Sequence, residues 1–253
     1  MKSLALVCLA ALNPWLLRGQ SGDSEIVTDR PDITESALVV PVASLQLENG
    51  LTWSSAHGAR TIDLSETLVR LGILQKTEVR LGVPNFSSAL SGKPESGFGD
   101  LSLGLKQQLG PLPGGVDLAV IAAVSIPSGR RAISSGGFDP FIKLPWSREL
   151  AGGWSVGGMQ SLFWNTDHGA RKDVWESTFY VEKQITKPLD AFAEYAADYS
   201  RRGDSTQVAH FGAAFKVNPA NQVDLHFGFG LSHAPPNHFI AVGYSFRIDR
   251  LWK

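Results

Sequence analysis

Residues 222–248, QVDLHFGFGLSHAPPNHFIAVGYSFRI, alternate at period two on both sides of a proline-bearing break. Val223, Leu225, Phe227, Phe229 and Leu231 fall on one face, with Gln222, Asp224, His226, Gly228 and Gly230 on the other. After the break, Ile240, Val242, Tyr244, Phe246 and Ile248 oppose Phe239, Ala241, Gly243, Ser245 and Arg247. Such alternation predicts two β-strands joined as a hairpin, one face apolar and aromatic, the other small, polar or charged. In a soluble sandwich the apolar face would be the core. In a membrane barrel it would meet lipid, and the polar face would line the interior.

The rest of the chain decides between these. From Ala43 onward, period-two segments recur at about 43–53, 61–71, 75–83, 98–109, 115–126, 138–146, 153–164, 174–185, 189–200, 206–217, 221–231 and 239–248. Most have the ~9–11 residues that a tilted strand needs to cross a bilayer. The count is even, as in single-chain bacterial barrels. With the N-terminus on the inner side, the inner turns are short: Gly72-Ile73, GPLPG from Gly110, Ser147 to Gly152, Thr186 to Pro188 and Asn218 to Ala220. The outer connections are mostly longer: Ser54 to Arg60, Pro84 to Gly97, Pro127 to Gly137, Asn165 to Asp173, Arg201 to Ser205 and Ser232 to His238. Short periplasmic turns with longer outer loops are a barrel signature. The expected fold is all-β: a closed up-and-down antiparallel transmembrane β-barrel of about twelve strands.

The 253 residues suit one large all-β domain, and a net charge of −1 gives no basic excess that would suggest nucleic acid as a partner. No run beyond the N-terminus approaches the ~18 apolar residues of a membrane helix. The opening MKSLALVCLAALNPWLL has a basic Lys2 and an apolar run from Leu4 to Leu12, so residues 1–20 read as a secretory signal. Cys8, the single cysteine, lies within it and lacks the small residues that precede a lipidated cysteine. Without disulfides, stability must come from sheet closure, packing and the bilayer. Residues 21–42 form a polar segment, 43–248 the barrel and 249–253 a short tail.

Tryptophan placement agrees. Trp53, Trp164 and Trp175 fall at outer strand ends, Trp146 and Trp154 at inner ends. An indole prefers a half-wet, half-apolar site, so barrels carry aromatic girdles at both interfaces. The lipid face includes Leu101, Leu103, Leu105, Val116, Leu118, Val120, Phe211 and Phe215. Lys183 interrupts that face two residues from its inner end, where a lysine can snorkel to headgroups.

The opposite faces carry Glu48, Arg70, Glu78, Arg80, Asp100, Lys106, Asp117, Glu194, Asp224, His226 and Arg247. Charges of both signs are tolerable there only if they meet water or one another. Either a wet pore or a cross-lumen ion-pair network satisfies this, and these residues are the expected lumen lining. Asp29, Arg30, Asp32 and Glu35, in TDRPDITES (28–36), precede the first strand. That segment either folds into the inner mouth to pair with charges such as Arg70 and Arg80, or remains a solvated periplasmic tail.

Catalytic signatures are weak. There is no G-x-S-x-G elbow and no His-x-x-x-His spacing. His57, His168, His233 and His238 fall in expected outer loops, where exposed histidines are ordinary. Ser96-Gly97-Phe98-Gly99-Asp100 opens a strand, not the helix a phosphate loop requires. No cofactor or metal is expected.

In sequence order, TDRPDITES, SLQLENGLTW, LVRLGILQKTEVRLGV, GFGDLSLGLKQQL, SIPSG, AFAEY and NQVDLHFGFGLS with FIAVGYSFRI resemble the bacterial outer-membrane family called "putative MetA-pathway of phenol degradation". The resemblance implies an outer-membrane barrel passing small, often aromatic or apolar, compounds. Its implied partners are outer-membrane lipid, a small-molecule solute and the barrel-assembly machinery. Such barrels commonly end on an aromatic residue; here DRLWK follows YSFRI, which places an internal assembly signal at Phe246-Arg247-Ile248. The expected function is a passive or gated channel, since twelve strands leave a narrow interior. Rival readings are an outer-membrane acyl hydrolase, a structural or adhesive barrel without flux, and a secreted β-sandwich.

Overall fold

The computed structural model describes residues 24–91, 96–167, 169–200, 205–234 and 236–252; the expected signal segment and His168 lie outside them. Its strands are β1 (Leu45–Ala56), β2 (Ala59–Leu64), β3 (Leu68–Leu74), β4 (Thr77–Gly82), β5 (Phe86–Ala89), β6 (Ser96–Phe98), β7 (Leu101–Gln108) and β8 (Val116–Ile126). They continue with β9 (Asp139–Leu150), β10 (Trp154–Asp167), β11 (Ala170–Thr186), β12 (Leu189–Ser200), β13 (Thr206–Asn218), β14 (Asn221–Gly230) and β15 (His238–Ile248). Every pairing is antiparallel, and β15 returns to β1 from Leu45↔Ile248 to Ser55↔His238, which closes the cylinder. A sandwich is excluded by that closure. The fold is a closed 12-strand antiparallel barrel.

The fifteen strands make twelve staves because three staves are broken near the same height. β2 and β3 are separated at residues 65–67, β4 and β5 at 83–85, and β6 and β7 at 99–100. Ser65 takes φ 58° there. Backbone bonds bridge the breaks: Glu66 N to Gly50 O at 3.0 Å, Val83 N to Thr67 O at 2.9 Å and Gly99 N to Asn85 O at 2.9 Å. These breaks act as bulges, which bend a sheet without opening it.

Two expected features differ. The turn expected at Gly72-Ile73 lies at Gln75-Lys76, because Gly72 faces inward and accepts a bond from Ala43 N at 2.9 Å. Several outer connections are shorter than the hydrophobic pattern suggests. β1 turns into β2 at His57-Gly58, and β10 and β11 run to Asp167 and from Ala170. Above the apolar band both faces turn polar, so periodicity fades while backbone pairing continues.

The outward face is the apolar one. Leu105, Phe211, Phe215, Leu225, Phe227, Phe229, Ile240, Val242 and Tyr244 are all exposed. Phe211 stacks on Phe227 at 5.8 Å and Tyr244 on Phe246 at 5.9 Å. The outward Lys183 reaches its inner rim, its ammonium 5.0 Å from the Trp154 ring. Gln160, also outward, is satisfied locally: Trp175 Nε1 donates to it at 2.8 Å and it donates to Ser177 Oγ at 2.7 Å. The belt makes a direct prediction. Leu225, mid-strand and 52% exposed, is expected to cost about 2–4 kcal/mol when replaced by arginine, read from urea unfolding out of lipid vesicles. A neutral substitution would mean that this face is not in lipid.

Candidate functional site

Residues 24–42 lie inside the barrel, chiefly against β1, β3, β4 and β7, and reach across to β9 and β12 at Thr34 and Glu35. Pro31, the polar run and the crowd of acids keep this segment out of any strand. Its backbone groups must therefore find partners elsewhere. They find the wall. Glu48 accepts from Asp29 N at 2.9 Å and Arg30 N at 3.2 Å. Glu194 accepts from Ile33 N and Thr34 N, both at 2.8 Å, and Glu78 from Val40 N at 2.7 Å. Arg70 donates to Val27 O at 3.2 Å and Leu38 O at 2.9 Å. At the inner rim Ile26 N donates to Pro219 O at 2.7 Å.

Glycines make room for this segment. Gly50 and Gly243 are register partners across the β1–β15 seam, both facing inward. A Cβ at Gly50 would lie 2.2 Å from Arg30 Nη1, and one at Gly243 would lie 2.6 Å from Arg30 Nε. At Gly72 a Cβ would lie 2.0 Å from Pro41 O. The segment also has an apolar side. Ile26, Ala37, Val39 and Val40 are buried inside the barrel, as are the inward Ala119, Ile121 and Met159 of β8 and β10. The lumen lining is thus not uniformly polar, because the segment needs an apolar surface to pack on.

Two polar clusters meet at the segment. In the first, Arg70 lies 3.3 Å from Asp29, 2.8 Å from Glu48 and 2.8 Å from Glu78. Arg80 lies 2.5 Å from Asp29, 2.7 Å from Glu35 and 2.9 Å from Glu78. Lys106 contacts Asp29 at 2.9 Å, and Lys143 contacts Glu35 at 2.6 Å. Four cations thus meet four carboxylates, and Arg70, Glu48, Glu78 and Lys106 are completely buried. Burial alone would raise the Asp29 carboxyl, but Arg70, Lys106 and Arg80 hold it well below the usual carboxylate range.

The second cluster is a chain of partners. Arg30 reaches Glu66 at 3.0 Å, Asp224 at 3.4 Å and His226 Nε2 at 3.1 Å. His226 Nδ1 meets His210 Nε2 at 2.8 Å, and His210 Nδ1 meets Glu194 at 2.8 Å. Thr34 Oγ1 donates to Glu194 at 2.6 Å. Phe192 and Phe239 pack edge-on or tilted against the histidines at 5.0 and 5.3 Å.

Of the expected lining residues, Glu48, Arg70, Glu78, Arg80 and Lys106 thus join in the first cluster, and Glu194, Asp224 and His226 in the second. Arg247 stands apart, donating to Ser24 O at 2.7 Å and to Asp249 at 2.8 Å. Asp100 faces the outer mouth, where it accepts from Gly129 N at 2.9 Å and Ser135 N at 3.0 Å and so holds the 127–137 loop. Asp117 lies at the inner mouth. Asp29, Arg30 and Glu35 sit within the clusters, and Asp32 faces the inner cavity.

Lys143 and Glu66 do not stand out in the sequence. Lys143 had a signal, since apolar Ile142 and Leu144 flank it and turn it inward. Glu66 had none, because it sits in a stave break.

Space remains on the other side of the segment, along β8 to β13. An inner cavity of about 250 Å³ is bordered by Asp32, Asp117, Glu149, Tyr180, Glu182 and Asp190. An outer cavity of about 460 Å³ is bordered by Asp100, Asp139, Phe141, Phe163, Asn165 and Lys172. Between them the register pairs Ser161 with Glu176 and Glu176 with Asp198. Lys143 stands there too, its ammonium 5.6 Å from both the Phe141 and Phe163 rings. Among the described residues no group of three or more His, Cys, Asp or Glu is arranged to hold a metal.

The profile of the family described as "Putative MetA-pathway of phenol degradation" matches residues 28–248, from the inserted segment through the last strand. The chain belongs to this family. Solved structures resemble this MetA-pathway family member over most of its length. An outer membrane channel from Pseudomonas putida F1 is 14% identical, with 91% of this chain and 100% of that one covered and a TM-score of 0.64. The NanC porin is 12% identical, covering 81% of this chain and 100% of that one, with a TM-score of 0.57. The KdgM porin is 8% identical, covering 80% and 98%, with a TM-score of 0.55. At these identities the likeness is one of fold, and outer-membrane barrels share it. No curated protein matches the MetA-pathway sequence.

Proposed function

We propose that this protein is an outer-membrane channel for small organic solutes, passive in mechanism and narrowed by its own N-terminal segment. The observation that carries this reading is the uneven filling of the barrel. Residues 24–42 pack chiefly against β1 to β7, while an inner cavity of about 250 Å³ and an outer one of about 460 Å³ remain toward β8 to β13. A purely structural barrel has no need for polar cavities at both mouths. The likeness in fold to channels and porins supports the same reading. The Phe141–Phe163 pair, 5.5 Å apart at the floor of the outer cavity, offers a surface for flat apolar solutes, consistent with the family's description. Selectivity then comes from bore and wall charge. Insertion by the barrel-assembly machinery would read β15, whose Tyr244, Phe246 and Ile248 face outward.

The test is liposome swelling with refolded full chain against a panel of sugars, amino acids, phenols and aromatic acids. Entry of the smallest solutes, falling steeply with size, is expected. Swelling no faster than protein-free vesicles for every solute would overturn the channel reading.

A further inference from the structure

This inference rests on the channel reading and names the solute class it favours. The barrel's charges are not mixed evenly once the N-terminal segment is in place. On the β1–β7 side, Arg70, Arg80 and Lys106 are spent on Asp29, Glu35, Glu48 and Glu78. Lys143, reaching over from β9, is spent on Glu35 at 2.6 Å. Arg30 is spent on Glu66 and Asp224. At the inner rim Lys216 is held by Glu25 at 3.1 Å and Asp190 at 3.2 Å.

The wall that borders the remaining space leans the other way. Asp117, Glu149 and Glu182 line the inner cavity beside Arg148, and Asp100 and Asp139 line the outer one beside Lys172. Glu176 and Asp198 stand between the cavities, with Lys143 close by. Glu176 and Glu182 are met by hydroxyls, Ser161 at 2.9 Å and Ser155 at 3.2 Å, which carry no opposite charge. Glu176 and Asp198 are register partners on β11 and β12, both half-buried, at the level between the two cavities.

An independent observation points the same way. Asp32, from the inserted segment, borders the inner cavity, and its Oδ1 is buried without a hydrogen-bond partner. Leaving a buried carboxylate oxygen unpaired is unfavourable unless something positive can approach it. Burial first, then Glu194, Glu182 and Asp224, push the Asp32 carboxyl well above the usual carboxylate range, so it takes up a proton unless a cation approaches.

We infer that the passage beside the N-terminal segment prefers cations, and that among organic solutes it admits small amines and neutral molecules ahead of carboxylates. The segment creates this preference by absorbing Arg70, Arg80, Lys106 and Lys143 while leaving the carboxylates of β8 to β12 in excess on the open side. A negative wall with low-dielectric surroundings concentrates positive counter-ions and excludes anions.

The test is the reversal potential of the full chain in a planar bilayer under a KCl gradient. A sign favouring K⁺ over Cl⁻ is expected. The double variant Glu176→Gln with Asp198→Asn should move the potential toward zero while the barrel keeps its heat-resistant gel mobility. Benzylammonium should permeate faster than benzoate in the same bilayer. Current with no ion preference, or with Cl⁻ favoured, would overturn the inference while leaving the channel reading standing. A preference for K⁺ unchanged in the folded double variant would overturn the assignment to this wall. Absence of any current would overturn both.

Discussion

Replacing Arg70 by methionine is expected to destabilise the folded barrel by about 3–5 kcal/mol, the cost of removing one partner from a buried charge cluster. The guanidinium is the hub for Glu48, Glu78 and Asp29, at 2.8, 2.8 and 3.3 Å. It also donates to two carbonyls of the inserted segment. Methionine supplies similar bulk but none of these bonds, and it leaves two fully buried wall carboxylates short of a counter-charge. Neutralising those as well, in Arg70→Met with Glu48→Gln and Glu78→Gln, should recover much of the loss, because the penalty lies in unpaired charge more than in lost attraction. Urea unfolding from vesicles, followed by tryptophan emission, reads both variants. A loss below about 1 kcal/mol for the single variant, the range of an exposed surface pair, would mean that the cluster is wetted.

The second large effect is expected at the glycine seat. In Gly243→Val, the added Cβ would lie 2.3 Å from Asp224 Oδ2 and 2.6 Å from Arg30 Nε. Both atoms belong to side chains that can swing away, whereas the Gly50↔Gly243 backbone pairing is fixed by the closing seam. What gives way is therefore the docking of Arg30 and not the barrel. With Arg30 displaced, its contacts to Glu66, Asp224 and His226 are lost together. Single-channel conductance should rise severalfold, with gel mobility of the folded form retained. Arg30→Ala should do the same through a different atom set. Conductance equal to wild type in both folded variants would show that this anchor does not narrow the passage.

The strands were legible because lipid imposes a strict rule on one face of each. Wherever that rule applies, as from Val223 to Phe229, period two identifies the strand and its direction of facing together. It stops applying in two places. At the outer ends, both faces of β10 and β11 meet water, so the pairing of Asn165 with Lys172 leaves no hydrophobic trace. In the stave breaks, Glu66 belongs to no alternation at all.

Inside, alternation tells which residues face the axis but not which ones meet across it. Arg70, Arg80 and Lys106 come together by simple pairing of β3, β4 and β7, but nothing in the alternation shows that Asp29 of the inserted segment meets all three. The apolar part of the lumen was hidden for a related reason. Ile121 and Met159 look like lapses in a polar face until Val39 and Val40, lying inside the same barrel, supply an apolar counterpart. Gly50, Gly72 and Gly243 were visible only as small inward residues, since the absence of a side chain carries no sign of what fills the gap.

The position of Arg30 has a consequence for the order of events during biogenesis. Its guanidinium rests over the junction of the first and last strands and binds Glu66 from the second stave and Asp224 from the eleventh. Those two carboxylates become neighbours only when the terminal hairpin arrives. The segment is synthesised first, and its seats on β1 to β7 precede closure, yet the seat of Arg30 is the last to exist. That anchor can form only once the circle is complete, and then it fastens both sides of the join like a keystone.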